Sequence, residues 1–367
     1  LLFHTIKKIQ ESKNFQLKLI VTGQHLEKKF GNTLMQIKKD RLKVFKKIKL
    51  KNAGNSNSSI VQNISYLINK FESLFKNKRF DYIVVLGDRF EILASAVSAA
   101  YFKIPIVHIH GGEVTESSYD DYNRHAISKF ASIHFVSNKV YKNRLINMGE
   151  IPKNIFICGA AGLEYIKKLN FLKRKQVYNL LKLKLNEKYS VISFHPSLEI
   201  NYLSQLKNLF RVASIYKDHK YFISMPNLDI NFKNIDDYIK SFCKKNINFI
   251  YKKSFGSKEF LSVLKYSQGM IGNSSSGIIE APSLKIPTIN IGNRQKGRLK
   301  SKSVVNSDGS FKSLKKSFKI IKKMNFSKNS KIFKNPYDNN KYLSEYLVQV
   351  ISKINKKNLL PKKFYDG

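Results

Sequence analysis

Apolar residues along the chain fall into two rhythms that take turns. Short runs of Ile, Val and Leu, bounded by polar or glycine-containing stretches, read as buried parallel strands. They are Leu17–Val21, Tyr82–Leu86, Ile104–Ile109, Ile133–Val136 and Ile155–Cys158. Between them apolar positions recur with helical period, which predicts helices over Ile60–Leu74, Phe90–Tyr101 and Ala126–Ala131. Residues 160–189 are lysine-rich and read as helical, with no strong strand. Alternation then resumes with strands at Val191–Phe194, Tyr221–Met225, Phe249–Tyr251, Met270–Gly272 and Thr288–Ile291, and a last helix is expected from Lys341 to Lys356. Two βα arrays in tandem predict an α/β protein of two Rossmann-like, doubly wound domains, with ligands at the strand ends in an interdomain cleft. The boundaries expected are 1–165, 166–340 and a C-terminal helix and tail over 341–367. The chain opens at Leu1 in an amphipathic pattern (Leu2, Ile6, Ile9), where a βα array ordinarily opens on a strand. The expectation is that a first strand and its loop are missing from this sequence.

Composition adds constraints. The 367 residues suit two domains at roughly 100–200 residues each. With 42% hydrophobic and 12% aromatic residues the chain can pack a core, which excludes a disordered protein. No run approaches roughly 18 uncharged apolar residues, so no membrane partner is expected. No charged-then-apolar leader opens the sequence, so secretion is not expected. Two cysteines, Cys158 and Cys243, are too few for a disulfide framework and suit a reducing, cytoplasmic compartment. The net charge of +42 first suggests nucleic acid. Yet only nine of the 67 basic residues are Arg, the residue that forks onto phosphates and reads bases. The lysines are spread along the whole chain, so no nucleic-acid partner is expected; the surplus would steer anionic small substrates.

Nine of the 17 glycines lie in short loops directly after strands, which points to ligand binding at strand ends. The loop Gly272-Asn273-Ser274-Ser275-Ser276-Gly277 precedes an expected helix over Ile278–Leu284. Free N–H groups at a helix start, with the hydroxyls of Ser274 and Ser275, make an anion site suited to a diphosphate; plain N-capping reads as well from this loop alone. Glu280 can accept both hydroxyls of a ribose. Arg294 and Arg298 follow the next strand and bring positive forks to the same edge. Asp88 ends a strand in Gly87-Asp88-Arg89. His108, His110 and Glu113 end the next, in His-Ile-His-Gly-Gly-Glu. Asp120, Asp121, Arg124 and His125 open a helix, and a spacing of four sets Asp120 beside Arg124 and Asp121 beside His125. Helix-start acids serving the macrodipole explain Asp121 and Arg124 as well as a catalytic role does. A metal at His108, His110 and Glu113 is the rival reading; without a His-x-x-x-His pattern, no metal and no other cofactor is expected. His195, before Pro196, ends the first strand of the second array. His4, His25, His134 and His219 receive no role.

The stretch GDRFEILASAVSAAYFKIPIVHIHGGEVTESSYDDYNRHAISKFASIHFVS, with FHPS and GNSSSGIIEAPSLKIPTINIGNRQKGR, closely resembles UDP-N-acetylglucosamine 2-epimerases, and most of all their hydrolysing branch. The resemblance covers nearly the whole chain. It implies two Rossmann-like domains of GT-B type and a UDP-sugar substrate. The reaction implied eliminates UDP through a glycal and releases the 2-epimer, a mannosamine-type sugar of sialic-acid pathways. The substrate reads as UDP-N-acetylglucosamine or UDP-N,N'-diacetylbacillosamine. It assigns catalysis to Asp88, Asp120 and His195, and substrate binding to Ser274, Ser275, Glu280, Arg294 and Arg124; Glu113 is added as a catalytic candidate and His110 as a substrate-binding one. His110 departs from the family, several members of which carry a catalytic glutamate there; Glu113 or another acid would then take over its charge. Relatives are usually dimers or tetramers, so a homo-oligomer is expected. A non-hydrolysing epimerase that keeps UDP on the sugar, a GT-B glycosyltransferase and a basic nucleic-acid-binding protein are the alternatives.

Overall fold

The computed structural model describes residues 1–26, 33–52, 54, 56–116, 120–197, 199, 201–226, 232–253, 255–326 and 330–367. Tyr119, at the head of the Asp120-Asp121 segment, lies outside the described residues. The chain divides into two compact units. Unit 1 is Leu1–Glu113, Tyr119–Tyr165 and Tyr337–Gly367; unit 2 is Val114–Ser118 and Ile166–Pro336.

In unit 1, strand β1 (Leu19–Thr22) pairs in parallel with β2 (Val44–Ile48). A second parallel sheet runs in the order β3 (Ile83–Leu86), β4 (Ile106–Ile109), β5 (Ile133–Val136) and β6 (Ile155–Ile157). Strands β4 and β5 are buried along their whole length, His108 and His134 included, as strands covered on both faces must be. Residues of alternate parity serve different cores. Val85 and Ile106 join the cluster with Leu67, Phe71 and Phe75, while Val107 and Ile109 join the one with Leu343 and Leu347. The helix Leu343–Lys353 thus packs on unit 1. The segment from Tyr337 onward is fixed there by Tyr141 Oη to Tyr337 Oη at 2.8 Å, and by the Ser344 N–H on Glu164 Oε2 at 2.9 Å.

Unit 2 is a six-stranded parallel sheet in the order β12-β11-β10-β7-β8-β9. The strands are β7 (Lys188–Ser193), β8 (His219–Ser224), β9 (Phe249–Lys252), β10 (Met270–Gly272), β11 (Thr288–Ile291) and β12 (Val304–Ser307). Tyr189 and Val191 of β7 face one core cluster and Ile192 the other. The winding reverses between β7 and β10, so the crevice beyond their carboxyl ends is where a doubly wound sheet binds ligands.

Two strands escape the sequence pattern. β2 reads Val-Phe-Lys-Lys-Ile with its three middle residues exposed, and β12 ends in Asn-Ser at a sheet edge. The helix expected over Ile278–Leu284 is instead a four-residue helix, Ser276–Ile279, followed by a 3-10 turn at Pro282–Leu284. Pro282 has no N–H to carry the helix on. Among the described residues no helix is long and apolar enough to cross a membrane.

Candidate active site

In unit 1 the ends of β3 and β4 lie side by side, tied by the Gly87 N–H on Ile109 O at 3.0 Å, and Asp88 follows directly. The organiser is Arg124, in the second turn of the helix Asp120–Phe130 and only 2% exposed. Its guanidinium donates to Asp88, to Asp121 Oδ1 at 2.8 Å and to the main-chain oxygen of Glu113 at 3.1 Å. One buried cation therefore holds the β3 end, the β4 loop and the helix start. The Asp121–Arg124 pair is a spacing of three on the helix. His125 Nε2 stands 3.6 Å from Asp121 Oδ2. Asp120 opens the helix and is half-buried, where its charge faces the positive end of the dipole.

His110 has a left-handed backbone (φ 68°), and its ring is engaged on both sides. Nε2 accepts the Ala161 N–H at 3.0 Å, so the ring proton is on Nδ1, which donates to Glu113 Oε1 at 2.8 Å. Glu113, 2% exposed, also accepts from Ser137 Oγ at 3.4 Å. This pair ties the β4 loop to the start of the helix Ala161–Lys168. His108 is fully buried: Nε2 donates to Gly87 O at 2.8 Å, and Nδ1 therefore accepts from the Ser128 hydroxyl at 3.1 Å. Burial pushes its pKa down to about 3, so the ring is neutral. Among the described residues no group of three His, Cys, Asp or Glu side chains could hold a metal ion.

In unit 2 the sequence-selected residues gather at the switch point. His195 follows β7, the Asn273–Ser275 loop follows β10, and Arg294 follows β11. Gly272 pairs with Ser193 where β10 meets β7. A Cβ there would stand 2.0 Å from Ser193 O, at φ 138°. Gly272→Ala is expected to cost about 3 kcal/mol in guanidinium unfolding, since the strands must part and the backbone is strained. The His195 imidazole is 6% exposed, with Nε2 at 3.2 Å from Ser193 Oγ. Burial, helped by the Arg294 charge, holds its pKa well below that of a free imidazole, so it serves as a neutral hydrogen-bonding group. Arg294 Nη1 donates to Asn273 O at 3.1 Å. Ser274 and Ser275 are half-buried beside the short helix, and Ser274 Oγ accepts the Ser276 N–H at 3.4 Å. Burial raises the pKa of Glu280, and its buried Oε2 takes no hydrogen bond among the described residues. Sequence reasoning missed Asn273, Gln295 and Ser128, whose partners are distant in the chain and whose residue types carry no motif.

Two parallel α/β units, with acids at the strand ends of one and a serine-rich loop at the switch point of the other, have the architecture of a sugar-nucleotide enzyme of GT-B type. Residues 7–351 match the family model for UDP-N-acetylglucosamine 2-epimerase, and the chain belongs to that family. Polysialic acid biosynthesis protein P7 of Escherichia coli is 36% identical over 98% of the chain and 92% of its own length. The GDP/UDP-N,N'-diacetylbacillosamine 2-epimerase (hydrolyzing) of Campylobacter jejuni is 36% identical over 100% of the chain and 95% of its own. Among solved structures, the UDP-GlcNAc 2-epimerase of Neisseria meningitidis bound to UDP-GlcNAc superposes with a TM-score of 0.81 over 96% of each chain at 19% identity, a likeness of fold.

Proposed function

We propose that the chain is a hydrolysing 2-epimerase acting on UDP-N,N'-diacetylbacillosamine, in which unit 2 binds UDP and unit 1 moves the protons. The observation that carries this reading is the full-length match to the Campylobacter jejuni relative so named. The Arg124 clamp on two carboxylates supports it. UDP-N-acetylglucosamine is the second reading, because a relative of equal identity is named for polysialic acid biosynthesis.

The C2 proton of the sugar is not acidic, so its removal must accompany departure of UDP from C1. The C2–H and C1–O bonds break and a C1=C2 double bond forms, giving a 2-acetamidoglycal. Water then adds its oxygen to C1, and a proton returns to C2 from the opposite face. Two acids are required. Half-buried Asp88 and Asp120 are assigned the proton exchange, and buried Glu113, bonded to His110, supports them as the further acid of the loop. Arg294 and the hydroxyls of Ser274 and Ser275 take the leaving diphosphate, the Glu280 carboxyl takes the ribose, and neutral His195 donates one hydrogen bond. Because the product is a free 2-acetamido sugar of manno configuration, a sialic-acid-type pathway is its natural destination.

The test is incubation in heavy water with each UDP-sugar in parallel. UDP and a free 2-epimer carrying one deuterium at C2 are expected, faster from the diacetamido substrate. A UDP-linked epimer, or transfer to an acceptor without exchange at C2, would overturn the reading.

A further inference from the structure

We infer that Asn273 is a positioning residue that sets His195 and Arg294 for the nucleotide, an inference resting on the UDP-binding role proposed for unit 2. Asn273 is the first residue after β10 and is 1% exposed. Its Oδ1 accepts the His195 N–H at 2.7 Å and its Nδ2 donates to His195 O at 2.9 Å. The side-chain amide thus occupies both main-chain groups of one residue, as a neighbouring strand would. Pro196 has no N–H and restricts the backbone before it, so this two-point contact fixes where the His195 side chain leaves the chain. The main chain of Asn273 works in the other direction. Its N–H reaches Ser193 O at 3.2 Å, and its carbonyl accepts Arg294 Nη1 at 3.1 Å and Gln295 Nε2 at 2.9 Å. Loops after β7, β10 and β11 are therefore joined through a single residue at the switch point. The His195 ring is steadied separately, by Ser193 Oγ, itself 3.0 Å from Ser224 Oγ.

Only a primary amide of this length can accept and donate at these two atoms. Aspartate would set a negative oxygen against the His195 carbonyl, and alanine would leave both main-chain groups without that partner.

The experiment compares Asn273→Asp and Asn273→Ala with Asn63→Ala, which removes an equally buried amide in unit 1. Three quantities are read well below each Tm: UDP affinity by calorimetry, kcat and KM for the UDP-sugar, and the His195 ring signals by NMR. Both Asn273 variants should bind UDP about tenfold more weakly, the loss of one charged hydrogen bond. Their kcat should fall about 10²-fold, as for a slightly misplaced group. Their His195 ring signals should shift, whereas Asn63→Ala lowers Tm and leaves all three unchanged. If folded Asn273 variants keep wild-type UDP affinity and His195 signals, the inference is overturned. If Asn273→Asp does not fold, Asn273→Ala decides. Should the wild type bind UDP but release no epimer, the reaction reading fails, and the UDP and NMR readouts still decide the role of Asn273.

Discussion

Asp88→Asn is expected to slow UDP release from the sugar nucleotide by about 10³-fold, within the range that positioned proton transfer supplies, while affinity for UDP alone stays as in the wild type. Asparagine has the shape of aspartate and still offers Arg124 an acceptor oxygen, so the clamp on Asp121 and the Glu113 carbonyl survives. What is lost is the carboxylate that can take a proton. Deuterium incorporation at C2 and UDP release should therefore fall together, because proton removal and departure of UDP belong to one step. A modest fall in Tm accompanies this, since buried Arg124 loses the anionic partner at position 88. Wild-type turnover in the Asp88→Asn protein would remove Asp88 from the chemistry and leave Asp120 as the base. An equal fall in UDP affinity and turnover would instead mark the variant as misfolded.

Much of the fold is legible in the sequence. Ile133–Val136, Met270–Gly272 and Thr288–Ile291 are strands with the ends the predicted runs give them, because strands buried along their whole length stay rich in Ile, Val, Phe and Met even where a buried His134, Thr288 or Asn290 interrupts the apolar residues. β7 begins at Lys188, before the predicted Val191, since its first residues, Lys, Tyr and Ser, do not look apolar although Tyr189 and Ser190 are buried. The candidate residues of unit 2 gather at the ends of β7, β10 and β11 as the loop glycines suggested. The wiring among them was not legible. His195 and Asn273 are 78 positions apart, Asp88 and Arg124 are 36, and His108 meets Ser128 across 20. Such pairs are chosen by tertiary geometry, and one sequence carries no trace of them. The short helix after Ser275 shows the reverse. Pro282 was in view, but the apolar period around it was read through the proline.

The second large effect is on stability in mild acid. His108 has a folded pKa of about 3 and an unfolded value of 6.5, both set by whether the imidazolium is in water. Above pH 6.5 neither state binds this proton and stability is unaffected. Below it the unfolded chain takes up a proton the folded chain refuses, and stability falls until pH reaches about 3. Each pH unit costs about 1.4 kcal/mol for one such group, so His108 alone removes about 3 kcal/mol between pH 6.5 and 4.5. His195, likewise held neutral by burial, adds a loss of the same sign to unit 2, and His219, lowered to about 4, a further one. Glu150 contributes in a lower window. Held down to about 2 by His134 and Lys362, it stabilises the fold above pH 4.5 and loses that contribution as pH falls toward 2. The protein should therefore weaken between pH 6.5 and 4.5, before its carboxylates titrate. His108→Gln tests the assignment: a glutamine amide can donate toward Gly87 O and accept from Ser128 but does not titrate. Guanidinium unfolding at pH 7, 6 and 5 should show the His108→Gln protein losing stability more gently below pH 6.5, with a slope smaller by about 1.4 kcal/mol per pH unit there. Parallel pH dependences in the two proteins would mean that His108 is protonated in the folded state. The Gly87 carbonyl, which leads into Asp88, would then be held by a cation.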